Sequence, residues 1–237
     1  MKKYELTAEF IEQWGKKLFR IKALISFGSV EAGELGGYVE KEDNLAQDGD
    51  AWVCDDAWVY GDARVCGNAR VCDDAEVYGD AWVCGNAKVY DDAWVCGNAR
   101  VYGDAWVYGD AKVYGDARVC GNTRVYGDAW VYGDAKVYGD ARVCGNARVC
   151  DDADCLLIGR IGSRFSFTTF FKNKDKGITV SCGCFLGTIA EFRAKVTDTH
   201  GNNKHAKMYN LAADMAELQI LGEEYFDKLN TNKSEPF

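Results

Sequence analysis

Four side chains of the types that bind zinc lie in the last quarter of the chain: Cys182, Cys184, His200 and His205. Thiolate and imidazole groups are common zinc ligands, and two cysteines separated by one residue share a face when they lie in a strand. The Cys-X-Cys spacing is nevertheless tighter than that of most zinc sites. The alternative is a pair of small strand residues and two histidines at helix ends. We predict that the protein binds no metal and no cofactor, and we keep the Cys₂His₂ site as the alternative hypothesis.

A second set of residues combines indole and cationic side chains that recur at a regular interval. Indole faces next to cations can hold nucleobases and phosphates. The set contains four bases, two indoles and no acid: Trp52, Arg70, Lys88, Trp106, Arg124 and Arg142. We predict that these residues bind a ligand or a partner. The alternative is a solvated face, or a face that a neighbouring subunit covers.

These residues belong to an array of eighteen hexads that runs without a break from Gly49 to Leu156, and members of the set are three hexads apart. Each hexad reads Gly/Asp, Asp/Asn, Ala, X, Val, Tyr/Cys. Ala and Val are two positions apart, so in an extended chain they point to one side and X points to the other. Gly/Asp followed by Asp/Asn supplies a turn after each short strand. The pattern predicts stacked coils that bury a continuous column of alanine and valine.

Ala-X-Val with Asp or Asn ahead of the alanine resembles the hexapeptide repeat of left-handed parallel β-helices. In that family three hexads form one triangular coil, which implies about six coils that rise ~4.8 Å each. We therefore predict a mainly β fold: a left-handed parallel β-helix of hexapeptide repeats with a small N-terminal β cap and a C-terminal α+β module.

With three hexads per coil, the X positions fall into three outer columns. The first column is the set of indole and cationic residues named above. The second column contains Trp58, Glu76, Trp94, Lys112, Trp130 and Arg148. The third column contains Arg64, Trp82, Arg100, Arg118, Lys136 and Asp154. Indole and cationic side chains on adjacent coils are thereby placed for cation–π contact.

Part of the array is a duplication, because the segment from Val101 to Asn122 recurs unchanged from Val125 to Asn146. The offset of four hexads is not a multiple of the three-hexad coil, so the copy is rotated onto the next face. We expect such a duplication to scramble any ligand site that needs defined neighbours on one face. We therefore interpret the coils as a modular spacer or platform.

The resemblance also bears on catalysis. Enzymes of the hexapeptide-repeat family are mostly acyltransferases with a histidine base between subunits, or γ-type carbonic anhydrases with three histidines on a metal. The chain has two histidines, His200 and His205, and both lie outside the array. The chain therefore offers neither a histidine base on a coil face nor three histidines that could bind a metal. We predict that the protein is not an enzyme, and an acyltransferase-like activity, which rests on the fold alone, is the third alternative.

The N-terminal end predicts a small β cap over residues 1–30, with a hairpin of Phe10–Trp14 and Leu18–Leu24. The repeat domain then covers residues 31–157. Residues 31–48 form a degenerate first coil, because Val39 and Leu45 keep the hexad phase with Ala51. The segment Phe27-Gly28-Ser29-Val30-Glu31-Ala32-Gly33-Glu34-Leu35-Gly36-Gly37-Tyr38-Val39, followed by Asn44-Leu45-Ala46-Gln47-Asp48-Gly49-Asp50, resembles the opening of YdcK-type hexapeptide-repeat proteins of bacteria and their phages.

The C-terminal end predicts an α+β module over residues 158–222 and a polar tail over residues 223–237. Thr168–Lys172 and Gly177–Cys182 form a hairpin. One helix begins at Thr188 with a capping box, and a second begins near Asn203. The apolar face of the second helix is predicted to contain Met208, Leu211, Ala212, Met215 and Leu218. The segment Ile158–Tyr209 resembles a module of phage and prophage repeat proteins, and this resemblance implies no site.

The formal net charge of −9 comes from the array, where acids lie mostly at turn positions. We interpret these acids as turn formers. The alternative is a ladder of negative corners that binds cations or mimics nucleic acid, best represented by three acidic pairs: Asp55-Asp56, Asp73-Asp74 and Asp91-Asp92. The bases interleaved on the faces count against mimicry of nucleic acid.

Cysteine usage and the absence of long apolar runs predict the compartment. Eleven cysteines, an odd number, are typical of a reducing compartment that keeps thiols free. The pairs Cys54/Cys72 and Cys66/Cys84 stack on adjacent coils and are the candidates for cross-linking on oxidation. The chain shows no membrane-spanning run and no secretory leader at its start. We predict a cytoplasmic protein without a membrane partner.

These observations predict a non-enzymatic, oligomeric β-helical scaffold or binding protein that is associated with phage. The resemblance implies a homo-oligomer, with a trimer favoured. The expected partner is a host protein or a small anionic ligand, and a nucleic-acid partner is not expected. The main alternative is a phage inhibitor that sequesters a small anionic, nucleotide-like signal or blocks a host protein.

Overall fold

The computed structural model describes residues 1–222, and the predicted polar tail, residues 223–237, lies outside the described residues. The chain forms a β-solenoid of about six coils, with an N-terminal strand region and a C-terminal small sheet that carries two helices. This architecture confirms the predicted mainly β fold. Over residues 1–222, no helix is both long enough and apolar enough to span a membrane.

Seventeen short strands form the coils and stack into three parallel sheets, one for each predicted column. Face one contains β4 (Trp52–Val53), β7 (Arg70–Val71), β10 (Lys88–Val89), β13 (Trp106–Tyr108), β16 (Arg124–Tyr126) and β19 (Arg142–Val143). Face two contains β5 (Trp58–Val59), β8 (Glu76–Val77), β11 (Trp94–Val95), β14 (Lys112–Val113), β17 (Trp130–Val131) and β20 (Arg148–Val149). Face three contains β6 (Arg64–Val65), β9 (Trp82–Val83), β12 (Arg100–Val101), β15 (Arg118–Val119) and β18 (Lys136–Val137).

Each coil strand pairs in register with the strand three hexads later, as a coil of three hexads requires. Lys88, for example, pairs with Trp106. The amide of an X residue donates to the alanine carbonyl of the next coil, as the Trp58 amide does to Ala75 at 2.9 Å. The alanine and valine side chains of the hexads are buried. Because these side chains are small, the core is a uniform column that accepts further copies of the hexad without repacking.

Glycine at the first hexad position lets successive corners stack in direct contact. Gly85 has a φ of 71°, and a Cβ at this residue would lie 2.9 Å from the backbone nitrogen of Gly103. Asp55, Asp73 and Asp91 occupy the same hexad position with positive φ values of 54°, 61° and 56°. Their carboxylates accept hydrogen bonds from the corner amide of the next coil, at 3.4, 3.3 and 2.9 Å. These contacts fit the interpretation of the first acid in each pair as a turn former.

The N-terminal cap is an antiparallel hairpin of β1 (Tyr4–Gln13) and β2 (Lys16–Ala23). The predicted hairpin is present, but its turn consists of Trp14 and Gly15, both with positive φ, as in tight two-residue turns. Strand β3 (Leu35–Val39) pairs antiparallel with β2 and parallel with β5. The hairpin thus extends face two and closes the first end of the solenoid.

The first coil is degenerate, as predicted, but its predicted phase is wrong. Val39 pairs with Val59 and Leu45 with Val65, so both take the valine position of a hexad and not the alanine position of Ala51. This first coil is longer than the later coils, which contain three hexads each. The cause is the extended corner that follows the 3₁₀ helix Glu42–Asn44 and precedes Ala51.

The array ends one hexad earlier than predicted. Its last strand is β20, and the eighteenth hexad forms the 3₁₀ helix Asp152–Asp154. The prediction that Asp154 belongs to the third outer column is wrong, because this side chain is buried. It accepts a hydrogen bond from the Cys150 amide at 3.0 Å and forms an ion pair with Lys172 at 2.7 Å. Asp154 therefore ties the last coil to the C-terminal module.

The C-terminal module is a four-stranded antiparallel sheet followed by two helices. Its strands are β21 (Cys155–Ile161), β22 (Ser166–Lys172), β23 (Ile178–Cys182) and β24 (Phe185–Thr188). Its helices are α1 (Ile189–His200) and α2 (Lys204–Leu221). The β22–β23 hairpin, the Thr188 capping box with Glu191 and the start of α2 after Asn203 are as predicted. The outer strands β21 and β24 were not predicted.

The predicted apolar face of α2 is wrong for all of its members except Ala212. Met208, Leu211, Met215 and Leu218 are exposed. The helix instead buries a face rich in alanine: Ala206, Tyr209, Ala212, Ala213, Ala216 and Ile220. Alanine lets the helix axis approach the sheet closely, so the larger apolar residues are left on the outer side.

One cysteine pair differs from expectation. Free thiols were expected, with cross-linking as the alternative, and Cys54 and Cys72, one of the two candidate pairs on adjacent coils, form a disulfide. Cys66 and Cys84, the other stacked pair, are free thiols.

Candidate functional site

Trp52, the first member of the predicted binding set, is fully buried. Its indole packs edge-on against Tyr4 and Phe27, with ring centroids 6.3 and 5.4 Å apart. The expectation that Trp52 lies on an outer face is wrong, because the N-terminal cap folds over the first coil. Trp52 is a core residue of the cap.

Two arginines at the ends of face one are held by the terminal modules. Arg70 donates from Nη1 to the Ser29 hydroxyl and from Nη2 to Cys54 Sγ at 3.8 Å. Arg142 donates from Nη1 to the Gly183 carbonyl at 3.4 Å. These contacts position both guanidinium groups against the cap and the C-terminal module.

The middle of face one forms a continuous cross-coil triad of Lys88, Trp106 and Arg124. Their strands β10, β13 and β16 are adjacent and in register. Lys88 Nζ lies 4.5 Å from the Trp106 ring centroid, and the Arg124 guanidinium carbon lies 5.4 Å from it. Both distances are within the range of cation–π attraction. The structure therefore brings three of the six predicted residues together as one surface.

The same cation–Trp–Arg triad recurs on each of the other two faces. On face two, Lys112 and Arg148 lie 5.5 and 4.1 Å from the Trp130 ring centroid. On face three, Arg64 pairs in register with Trp82, and the Arg100 guanidinium lies 5.5 Å from the Trp82 ring. The three triads are Arg64–Trp82–Arg100, Lys88–Trp106–Arg124 and Lys112–Trp130–Arg148, and each is displaced by four hexads from the one before.

This recurrence corrects one expectation about the duplication. The duplication keeps the neighbours of each indole, because the residues one coil before it and one coil after it are shifted by the same four hexads as the indole itself. Each copy of the four-hexad unit carries its triad onto a new face and about one and a third coils further along the axis. The solenoid therefore displays three similar cationic, aromatic surfaces around its circumference.

Face two also carries a groove of about 730 Å³. One wall is formed by second-position side chains: Asp56, Asp74, Asp92, Asp110, Asp128 and Asn146. The other wall is the second outer column, from Trp58 to Arg148. In the sequence, each of these corner residues stands two positions before an outer X residue of the same hexad, and this pairing is the signal for the groove. The signal is missed when the corner acids and the outer columns are considered separately.

A family model described as the YdcK beta solenoid repeat matches residues 93–109 and 117–133. The chain contains YdcK-type β-solenoid repeats. The two matched segments are themselves four hexads apart, so the model matches successive copies of the unit that carries the triads. No curated protein matches the chain.

The four candidate zinc ligands, all among the described residues, do not converge on one point. Cys182, Cys184 and His200 line a cavity of about 380 Å³, to which His205 does not contribute. The His200 ring instead stacks on Tyr209 with centroids 5.8 Å apart. Cys182 Sγ accepts a hydrogen bond from the Thr168 hydroxyl at 3.2 Å.

Other metal-ligand groups are scarce in the part of the chain that the structure describes. There, one group of three Cys, His, Asp or Glu residues has its ligand atoms within 4.8 Å, and it consists of Cys54, Asp55 and Cys72. Cys54 and Cys72 are joined by a disulfide, so they offer no thiolate. The residues present at these places do not fit a tetrahedral zinc site.

Four thiols of the solenoid, and that of Cys155 just after the last coil, have environments that suppress reactivity. Burial raises the pKa of Cys84, Cys96 and Cys144. A hydrogen bond to Asp154, followed by burial, raises the pKa of Cys150. Burial also raises the pKa of Cys155 to about 12. Because the thiolate is the nucleophile, these cysteines are weak nucleophiles at neutral pH.

Proposed function

We propose that the protein is a non-enzymatic scaffold whose solenoid presents equivalent binding surfaces on all three faces. The observation that carries this proposal is the threefold recurrence of the cation–Trp–Arg triad. An active site is built once, at one place, whereas a surface copied onto every face of a uniform core suits repeated contacts with a partner. The resemblance of both ends to phage and prophage repeat proteins supports a phage-associated role in the bacterial cytoplasm.

The chemistry of the solenoid supports the non-enzymatic part of this proposal. Both histidines of the chain lie outside the coils. The coil cysteines with raised pKa values are held as neutral thiols. Acyl transfer on this fold needs a base that takes a proton from the acceptor.

Exposed apolar side chains support homo-oligomerisation, with a trimer as the form that the fold resemblance favours. Trp82 and Trp94 are 44% and 37% exposed. The outer side of α2 adds Met208, Leu211, Met215 and Leu218. Apolar surface of this kind is commonly covered in an assembly.

The test is partner retention by triad variants of the protein purified from its natural host. Trp82→Ala, Trp106→Ala and Trp130→Ala are compared singly and combined, with Trp94→Ala as the control for an exposed indole outside the triads. We expect each triad variant to reduce the bound partner partially and the triple variant to remove it. Acyl transfer from a coenzyme A donor, lost on changing a single residue, would overturn the proposal.

A second candidate function is sequestration of a small anionic, nucleotide-like molecule. It is favoured by the two cations that flank each indole, since a base can stack on the ring while phosphate binds the cations. Calorimetry with ATP tests it, and Trp106→Ala combined with Arg124→Ala should remove one of three sites per chain. Failure of the unmodified protein to bind ATP or a nucleoside monophosphate would exclude this candidate.

A further inference from the structure

The four-hexad unit has a further copy nearer the N-terminus, and in this copy a carboxylate replaces the guanidinium group. Four hexads before Trp82 the indole is Trp58, and the position that holds arginine in the three triads holds Glu76. Strand pairing places Trp58 between Tyr38 and Glu76. This copy therefore has an indole with a carboxylate on the adjacent coil, where the others have an indole with a guanidinium.

Glu76 also has an indole on its other side. It pairs in register with Trp58 on one adjacent coil and with Trp94 on the other. Its carboxylate accepts a hydrogen bond from the Tyr60 hydroxyl at 3.3 Å. Glu76 therefore lies in the outer column between two tryptophans that are two coils apart, on the wall of the face-two groove.

The chain itself shows which group fits between two indoles at this spacing. One step further along face two, Lys112 lies between Trp94 and Trp130 in the same register. Its Nζ is 4.0 Å from the Trp94 ring centroid and 5.5 Å from that of Trp130. An alkylammonium group therefore fits between two indoles of this column. Between Trp58 and Trp94 the chain has Glu76 instead, whose carboxylate is the counter-charge for such a group.

The rim of the groove adds negative charge at a regular spacing. Asp74 and Asp92 lie on adjacent coils next to Glu76 and Trp94. Over residues 1–222, neither has a cationic side chain within 4.0 Å, whereas Asp56 pairs with Arg20 at 3.4 Å. Adjacent coils are ~4.8 Å apart, which is roughly the separation of two ammonium groups joined by three methylenes.

We propose that the groove between Trp58 and Trp94 binds a linear aliphatic polyamine, with one ammonium group between the indoles against Glu76. A further ammonium group lies against Asp74 or Asp92. Indole faces attract alkylammonium groups through their quadrupole, whereas Mg²⁺ and Ca²⁺ require several converging oxygen ligands. This site adjoins the face-two triad, because Lys112 also contacts the Trp94 ring, but it does not depend on the proposed scaffold function.

The experiment is calorimetric titration of the full chain with spermidine at fixed ionic strength. Glu76→Arg restores the residue that the other copies carry at this position, so the coil should keep its structure, which circular dichroism checks. We expect Glu76→Arg to weaken spermidine binding at least about tenfold, and Glu76→Gln and Trp58→Ala to weaken it by roughly threefold or more. The matched control is Asp104→Asn, a corner carboxylate on another face whose column neighbours Asn86 and Asn122 are already asparagine.

The outcomes separate the site from general attraction to an acidic protein. Saturable binding of one spermidine, lost in Glu76→Arg and within about twofold of normal in Asp104→Asn, supports the proposal. Absence of saturable binding, or equal weakening by Asp104→Asn and Glu76→Arg, overturns it. A capped trilysine peptide is titrated in parallel, and tighter binding of the peptide than of spermidine overturns the assignment to a polyamine.

Discussion

Trp106 and Trp130 lie on different faces of the solenoid, yet each indole lies between a lysine and an arginine of the adjacent coils. Each also meets a tyrosine ring edge, with centroids 6.5 and 6.2 Å apart. A unit of four hexads wound on a coil of three hexads explains both facts. The mismatch between the two periods distributes one local arrangement around the whole circumference.

The two tryptophans of face one should differ sharply in their effect on stability. Trp52→Ala leaves a cavity in the core of the cap and should lower the free energy of unfolding by about 3–5 kcal/mol. Trp106→Ala removes cation–π contacts at the surface and should cost about 1 kcal/mol or less. Urea denaturation followed by circular dichroism measures both, and equal losses would contradict the burial of Trp52 under the cap.

Acidification should weaken the attachment of the C-terminal module through Asp154. Burial favours a higher pKa for this carboxyl, but hydrogen bonds from Cys150 and Lys172 outweigh burial and hold the pKa below its usual value. A lowered folded-state pKa gives stability that is present above the unfolded value, ~3.9, and lost as the pH falls through the folded value. The thermal midpoint should therefore fall on acidification below about pH 4.

Asp154→Asn should cost about 1–3 kcal/mol at neutral pH and reduce this acid sensitivity. The control is Asp152→Asn, which breaks an exposed ion pair with Lys136 and should cost about 0–1 kcal/mol. A smaller effect of Asp154→Asn than of its control would show that the buried ion pair does not hold the module.

Corner glycines should respond to substitution according to their place in the stack. Both Gly85 and Gly145 have positive φ, so alanine at either costs about 1–2 kcal/mol in backbone strain. A Cβ on Gly85 would also meet the Gly103 backbone at 2.9 Å, whereas a Cβ on Gly145 would have no atom within 4 Å. Gly85→Ala should lower the melting temperature more than Gly145→Ala. Equal shifts would mean that the coils separate easily at their corners.

The purified protein should contain no stoichiometric zinc. Cys182, Cys184, His200 and His205 do not converge, and the His200 ring stacks on Tyr209. Elemental analysis after preparation without chelator should give a zinc content far below one ion per chain, and EDTA should leave the melting temperature unchanged. One zinc per chain, lost together in Cys182→Ser and His205→Gln, would show that these ligands rearrange around the metal.

The solenoid could be predicted because each hexad repeats the same local rule. The Ala and Val alternation fixes the buried side, the corner residues fix the turn, and the in-register pairing of Lys88 with Trp106 follows from three hexads per coil. The predictions became less accurate where the repeat ends. The longer corner before Ala51 shifted the phase of Val39, and the last hexad folded into a 3₁₀ helix that buries Asp154.

The binding surfaces were predicted only in part, for a physical reason. The column pattern places Lys88, Trp106 and Arg124 together, but it does not show which residues the terminal modules cover. Trp52 is covered by the cap through contacts with Tyr4 and Phe27, which are distant in the sequence. For α2, apolar spacing indicated the wrong face because close packing on the sheet selects alanine over the larger Leu211 and Met215.

Native mass spectrometry of the protein from its natural host tests the central claim most directly, since it weighs the assembly and anything bound to it together. The scaffold account predicts an oligomer whose partner mass decreases by similar fractions in Trp82→Ala, Trp106→Ala and Trp130→Ala, and is absent in the triple variant. Complete loss in one of these variants, with the other two unchanged, would contradict the account by showing that a single face is the functional site.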